Sequence, residues 1–578
     1  MSDGLSPKPS LPALLQPARL GPVDLRNRII MAPMTTRHAD AEGFVTPDTI
    51  AYFQARARGG VGLVTVEMAA PEKVGKHRNN ELGLYDDRFL PGLTELVAAI
   101  HAEGAKASIQ IGHGGGHTRL DICGEEPIAP SALPHSVHEG HTEIIIPQAM
   151  TAERIKRTQA SFVEAALRAR KAGFDAVEIH AAHGYLISQF MAPGENIRQD
   201  GYGGPLENRA RFALEIVAMT KAAVPDLAVT FRMNGDDFFE GGIGLEEATE
   251  IAVWAEQQGA DAIHVTGGHY RSQPTAAIMI PPMATGPTPF LAFAKAIKHR
   301  VSVPVITVGR YGKPEEAMAV IEQGFADFVA LGRPLLADAD WVNKAARNEQ
   351  VRLCLSCNSC VDGMRDGKKL HCLVNPVTGR ERDFAQRQPA HSGQTIAVIG
   401  GGPAGLNYAL LASATNTVTL FEKNGHLGGG FVWAGLAPKF QTVEARPESL
   451  LNHIEGLKTA LLAAGVTIKT GCDPLSRPAD LLAFDHVVIA TGARYRFGLG
   501  GLVEYVLKAG WLKQGWLKDL ASSERIRQAF YYDWREGRGI DHDERLGGHP
   551  SVEVLGDARQ AGKSEQAILA AYDAALKA

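Results

Sequence analysis

Three groups of residues in this sequence have the types and spacing to do chemistry. The first is a run of thiols: Cys354, Cys357 and Cys360 in a CxxCxxC pattern, then eleven residues, then Cys372, with Asn375 and Pro376 following. Four of the six cysteines lie there, and converging thiolates are soft ligands that suit an iron–sulfur cluster or a tetrahedral zinc. The second is His180 and His183, followed by Gly184 and Tyr185. Two imidazoles and a phenol can hold an oxygen and move a proton. The third is Gly400, Gly402 and Gly405, a GxGxxG after the apolar run Thr395 to Ile399, with Glu422 ending the next such run. Glycines in that setting let backbone approach a pyrophosphate at a helix N-terminus, and the acid can bind ribose hydroxyls.

The chain that must position them has 578 residues, too many for one core, so two or three domains are expected. A net charge of −5 gives no reason to expect nucleic acid as a partner. No apolar run approaches the roughly 20 residues that cross a bilayer. The first twenty residues lack the charged start, apolar run and cleavage site of a signal peptide. Clustered cysteines favour metal binding in a reducing compartment over a disulfide framework, so a cytoplasmic location is expected.

Eight β-branched or apolar runs recur before the cysteines: 28–33, 61–67, 107–111, 176–180, 229–233, 262–266, 303–308 and 328–331. Helix-length amphipathic stretches separate them, and three end on glycine (Gly173, Gly259, Gly324), the residue that permits a left-handed cap. Eight βα units predict an α/β fold in which residues 1–353 form a (β/α)8 TIM barrel, with an open doubly wound sheet as the alternative. In a barrel, chemistry gathers at the carboxyl ends of the strands. Pro33, Met34 and Thr35 follow run one, Glu67 ends run two, Gln110 lies in run three and His180 ends run four. Arg232 lies in run five and His269 beyond run six. Gly309-Arg310 and Gly332-Arg333 follow runs seven and eight, each an unobstructed N–H beside a fixed cation. Loops seven and eight of barrels often hold phosphate, so a phosphorylated cofactor is expected in the mouth.

The stretches Asn27–Thr35, Gln110–His113, Val177–Tyr185 and Asp200–Arg209 resemble the old yellow enzyme family of FMN ene-reductases across the whole barrel. The cysteines and the carboxyl-terminal part narrow the resemblance to the branch of 2,4-dienoyl-CoA reductase and trimethylamine dehydrogenase. It implies FMN in the barrel, with Pro33, Met34, Thr35, Glu67, Gln110, Arg232, Gly309, Arg310, Gly332 and Arg333 among the cofactor-binding residues. Gln110 would read the pyrimidine edge, Arg232 would sit near N1, and Thr35 would donate to the C4 oxygen. His180 and His183 would hold a substrate oxygen, Tyr185 would give the proton to Cα, and His269 would assist its delivery or simply be solvated in a flexible loop. Thr35 replaces the cysteine that trimethylamine dehydrogenase links to its flavin, so the flavin is expected to be non-covalent. Histidines at 180 and 269, where that enzyme has tyrosine and aspartate, favour a carbonyl-bearing ligand over an amine.

The cysteine segment, 354–378, has spacing close to that of these relatives, and with flavin expected upstream a [4Fe–4S] cluster is preferred to a structural zinc. A polar linker is expected over 379–394, then a Rossmann-like FAD-binding domain over 395–578. Val487–Gly492 and Val554–Asp557 resemble later elements of the flavin disulfide-reductase fold, where Asp557, beside Gly556, would meet the ribityl chain. The trimethylamine dehydrogenase branch can hold ADP in place of FAD. Only 493–550 separates those elements, too short for the NAD(P)H subdomain that relatives insert, which needs on the order of 100 residues. Its aromatic, basic stretches around Trp511, Trp516 and Trp534 are expected to be helical, either covering the shortened fold or docking a redox partner.

The sequence thus predicts an FMN and [4Fe–4S] oxidoreductase, carrying FAD or ADP, that reduces a C=C bond conjugated to a carbonyl or thioester. Electrons would come from NAD(P)H or a ferredoxin-like protein donor. The alternative is a dehydrogenase that passes electrons through the cluster to an electron-transfer flavoprotein. A redox-sensing scaffold is a third reading, against which the His180, His183 and Tyr185 set argues. A homo-oligomer is expected from relatives.

Overall fold

Runs of β-branched residues that are apolar on both faces can be buried only if every strand is paired on both sides, and closing the sheet achieves this. The computed structural model describes residues 12–136, 144–432, 434–435, 448–495 and 549–577, with scattered positions between 505 and 546. The strands β1 (Ile29–Met31), β2 (Leu63–Ala70), β3 (Lys106–Ile111) and β4 (Ala176–Ala181) are followed by β5 (Ala228–Asn234), β6 (Ala262–Thr266), β7 (Val305–Val308) and β8 (Phe328–Leu331). All pair in parallel and in sequence order, and β8 returns to β1, which pairs with β2 through Ile30 opposite Leu63. The sheet therefore closes into a barrel, which decides against the open sheet. Gly173, at φ +95, ends helix Ala152–Ala172 in the left-handed cap that its position predicted.

An element the sequence did not announce plugs the opposite end. A hairpin pairs Ala18–Leu20 with Val23–Leu25. Its Leu20, Val23 and Leu25 pack against Leu63, Ala176, Ala228, Ala262 and Phe328. Those five residues each open a barrel strand, so the plug seals the amino ends. Burying each leucine contributes about 2 kcal/mol. Only the carboxyl ends of the strands remain for a ligand.

A second parallel sheet comprises β9 (Thr395–Ile399), β10 (Thr417–Glu422), β11 (Thr467–Thr470), β12 (His486–Ile489) and β13 (Val552–Val554), in the spatial order β11, β10, β9, β12, β13. This is a Rossmann-like sheet, and Gly402 caps the helix Pro403–Ala412 that follows β9. Between β12 and β13 the described residues form one short antiparallel pair, Arg494–Tyr495 with Arg535–Glu536. Trp511 and most of the stretch expected to be helical lie outside the described residues, whereas Trp516 and Trp534 are exposed. The polar stretch 379–394 contains a helix, Glu381–Ala385, and a strand, Gln388–Pro389, that pairs with Leu576–Lys577. The chain divides into two compact units. One comprises Met1–Pro282, Pro287–Glu349 and Asn358–Leu370; the other comprises Met283–Gly286, Gln350–Cys357 and His371–Ala578.

One buried acid ties two barrel strands at their functional ends. Glu67 in β2 accepts the Thr36 N–H at 2.7 Å and the Thr36 hydroxyl. Full burial pushes its carboxyl up to about 8, opposed by the bonds from Thr36 and aided by the charge of Glu81. A folded pKa above the unfolded value of 4.5 makes its contribution complete below that pH and lost as pH rises through about 8. Glu67→Gln retains an acceptor for Thr36 but cannot ionise. In urea titrations at pH 5 and pH 9 the parent should lose roughly 4 kcal/mol more stability between the two than the variant does. Equal losses would show that Glu67 does not ionise in this window.

Candidate active site

Alternate residues on each strand point into the barrel, and strand register decides which of them meet. Gln110 on β3 pairs with Glu178 on β4, His180 on β4 with Arg232 on β5, and Arg232 with His264 on β6. Glu178 Oε1 accepts from Gln110 Nε2 at 2.8 Å and lies 3.6 Å from Arg232 Nη1. Its Oε2 lies 2.7 Å from His264 Nδ1. Burial alone would raise the Glu178 pKa, but His264, Arg232 and Gln110 hold it below the usual carboxylate range. The barrel interior thus keeps an ionised acid that orients one amide, one imidazole and one guanidinium.

Arg232 Nε and His180 Nδ1 are buried and have no hydrogen-bond partner among the described residues. Orphaned polar atoms at the carboxyl end of a barrel call for a polar ligand. A flavin ring edge and a substrate oxygen fit them. Pro33, Met34 and Thr35 line the exit of β1, half-buried. Gly309 (φ +120) and Arg310 (φ +57) follow β7. Gly332 follows β8, where an added Cβ would meet Met34 Sδ at 3.2 Å. Arg333 donates to Asn358 Oδ1.

His180 and His183 are both buried, with ring centroids 5.1 Å apart. Burial, reinforced by Arg232, pushes both pKa values well below the usual imidazole range. Both are therefore neutral, each with one N–H to donate. His183 Nε2 lies 3.1 Å from Thr266 Oγ1. The Tyr185 phenol is raised well above 10 by burial and by Tyr270, so it holds its proton.

The sequence left His269 in a flexible loop, but the structure buries it completely. Gly184 (φ +84) makes room, because a Cβ there would come within 2.4 Å of the His269 ring. Glu195 Oε2 lies 3.3 Å from His269 Nε2. Burial lowers the His269 pKa, but the charge and hydrogen bond of Glu195 and the charge of Asp237 together outweigh it and the net shift is upward. His269 and Glu195 form a buried imidazole–carboxyl pair. The rings of His117 and His135 lie 5.1 Å apart, and His117 is 5.8 Å from Tyr270.

Sequence reasoning missed the partners of Tyr185. Its Oη lies 3.0 Å from His77 Nε2, and His77 Nδ1 lies 2.7 Å from Glu81 Oε2. Arg78 Nε donates to His77 Nε2 at 2.7 Å, and Arg78 Nη2 to the Tyr270 hydroxyl at 3.1 Å. Glu81 Oε2 also accepts the backbone N–H groups of His77 and Arg78, each at 3.1 Å. An acid, an imidazole and a phenol stand in line beside a fixed cation. The available signal was a dense polar run, 76–81, in the loop that follows β2.

Cys354, Cys357, Cys360 and Cys372 offer four sulfur donors, a set whose chemistry fits thiolate ligation. Cys354 Sγ accepts the Ser356 N–H at 3.3 Å. Cys360 lies in helix Ser359–Arg365, within the barrel unit, where Asn358 Nδ2 donates to Ile280 O at 2.8 Å and Arg37 Nε to Met364 O at 2.8 Å. In the second unit, Glu422 Oε2 accepts the Gly401 N–H at 2.8 Å. A Cβ on Gly405 would come within 1.9 Å of Gly400 O, so helix and strand meet at a distance only glycine allows. That cradle fits a dinucleotide. Asp557, in the turn Gly556–Ala558, accepts the Gly562 N–H at 3.2 Å.

Residues 13–351 match the NADH:flavin oxidoreductase / NADH oxidase family, and residues 394–530 match pyridine nucleotide-disulphide oxidoreductases. The chain is 40% identical to an NADH oxidase of Thermoanaerobacter brockii over 83% of this chain and 73% of that one. It is 34% identical to a cinnamate reductase of Clostridium sporogenes over 84% of this chain and 74% of that one. Its fold matches a solved 2-naphthoyl-CoA reductase in complex with 2-naphthoyl-CoA, with a TM-score of 0.85 at 24% identity over 98% of this chain and 99% of that one. No helix among the described residues is long and apolar enough to cross a membrane. With one family matching the entire barrel and a long relative at this identity, the protein belongs to the NADH:flavin oxidoreductase / NADH oxidase family and is a flavin oxidoreductase.

Proposed function

We propose that the protein reduces a C=C bond conjugated to a carbonyl or thioester, using non-covalent FMN in the barrel, a [4Fe–4S] cluster on Cys354, Cys357, Cys360 and Cys372, and FAD or ADP on Gly400, Gly402, Gly405, Glu422 and Asp557. The observation that carries this reading is that two imidazoles and a phenol, His180, His183 and Tyr185, stand ring against ring in one buried site. A relative 34% identical is a cinnamate reductase, and cinnamate is a conjugated alkene of this kind. When bound, FMN supplies hydride to the β-carbon. Gln110, Arg232 and Thr35 would hold the ring, and Gly309, Arg310, Gly332 and Arg333 its phosphate.

The chain's own work is polarisation and proton transfer. The Thr266 hydroxyl, 3.1 Å from His183 Nε2, holds that ring, and His183 and His180 would each present one N–H to a substrate oxygen. Two N–H groups at that oxygen draw charge toward it from the alkene. Neutral donors suit this task, since a pair of imidazolium ions so close would repel each other. Tyr185 gives its proton to the α-carbon. His77 Nε2 holds the phenol in place through its 3.0 Å contact, Glu81 fixes the His77 orientation, the Arg78 charge stabilises the phenolate left behind, and solvent returns the proton. The His269 ring, paired with Glu195, packs against Gly184, the residue before Tyr185. NAD(P)H or a protein donor would deliver the electrons.

Activity and metal content both check the reading. Tyr185→Phe should lower the steady-state rate on an enone by about 10²-fold or more, with flavin content unchanged. His77→Gln should lower it by about tenfold and displace the pH profile. Unchanged rates in both variants would remove proton transfer from this site. The anaerobically purified protein should carry about four irons per chain, and Cys357→Ser should lose most of them together with the broad visible absorbance of the cluster. Zinc in place of iron would overturn the cluster assignment.

A further inference from the structure

We propose that His391, His486 and Glu553 form a binding site for a divalent transition-metal ion such as zinc, at the edge of the second sheet opposite its glycine loop. The site lies within one compact unit. His486 is the first residue of β12 and Glu553 the middle residue of β13, near the amino ends of these strands, whereas Gly400 follows the carboxyl end of β9. His391 comes from the polar stretch that precedes β9. Its backbone is held there, since its carbonyl accepts from Thr415 Oγ1 and Asn416 Nδ2, each at 2.9 Å.

The donor atoms converge. One ligand atom from each of the three residues lies within 4.8 Å of the others. The two imidazole centroids are 4.2 Å apart with planes at 33°. His486 carries the strongest sign of a ligand. Its side chain is 5% exposed, its Nδ1 is engaged by Ser551 Oγ at 2.7 Å, and its Nε2 is buried without a hydrogen-bond partner among the described residues. A ring nitrogen left bare while the other is fixed by an outer hydrogen bond is the usual state of a metal-binding histidine. Glu553 Oε2 lies 3.7 Å from that nitrogen.

Bonds of about 2.1 Å put tetrahedral ligand atoms about 3.4 Å apart, so the triad must contract by an ångström or so. Half-buried His391 and Glu553 can supply that by rotation. Two imidazoles and one carboxylate select zinc, nickel or cobalt, whereas magnesium and calcium prefer all-oxygen shells. Water would complete the shell on the exposed side. The ion would fasten the stretch 379–394 to the sheet.

The test uses the full chain with its cofactors, dialysed against a chelator and then against zinc chloride, with zinc and iron counted by plasma mass spectrometry. The parent should retain one zinc per chain more than His391→Ala or Glu553→Gln, with equal iron in all three. Zinc should raise the Tm of the parent by a few degrees and leave that of the variants unmoved. X-ray absorption at the zinc edge should show nitrogen and oxygen neighbours near 2.0–2.1 Å, with imidazole scattering. Equal zinc in parent and variants, or a sulfur shell near 2.3 Å that would place the ion on the cysteines, would overturn the proposal.

Discussion

Everything at the barrel mouth depends on one buried carboxylate. A guanidinium such as that of Arg232 cannot sit dehydrated without an opposing charge, and Glu178 supplies it at 3.6 Å. The same carboxylate orders Gln110 and His264. Arg232 in turn keeps His180 and His183 neutral by adding its charge to the effect of their burial. The state of both imidazoles is therefore set from the neighbouring strand by Arg232, and through it by Glu178, two residues before His180 on the same strand. Removing Glu178 would leave Arg232 uncompensated, the kind of buried charge that costs several kcal/mol.

The barrel was legible because its signal is repeated. Eight apolar runs with glycine stops allow few other closures, and each strand lies within a few residues of its run. The plug of Leu20, Val23 and Leu25 was not legible: a hairpin of three-residue strands carries too little alternation to stand out. Its partners also open strands scattered from Leu63 to Phe328, and only the closed barrel brings them together.

The site divides along the same line. His180, His183 and Tyr185 lie close in sequence at the end of one strand, so their grouping could be read directly. Gln110 and Arg232 meet in the barrel only through Glu178, which strand periodicity places on the same face as His180. His77, Arg78 and Glu81 could not be found by pattern, since they occupy an irregular segment whose proximity to Tyr185 is purely tertiary. For His269 the sequence leaves a role in proton delivery and a solvated loop both open, and the packing permitted by Gly184, which buries it, is tertiary.

The central claim, that this constellation hands electrons and a proton to a polarised alkene, is tested most directly by single turnover. The protein, reduced chemically without oxygen, is mixed rapidly with an enone while flavin absorbance is followed and the product identified. Recovery of the oxidised flavin spectrum with one saturated product per FMN is the expected result. A flavin that stays reduced in excess enone, yet is bleached from the oxidised state by an amine, would contradict the account.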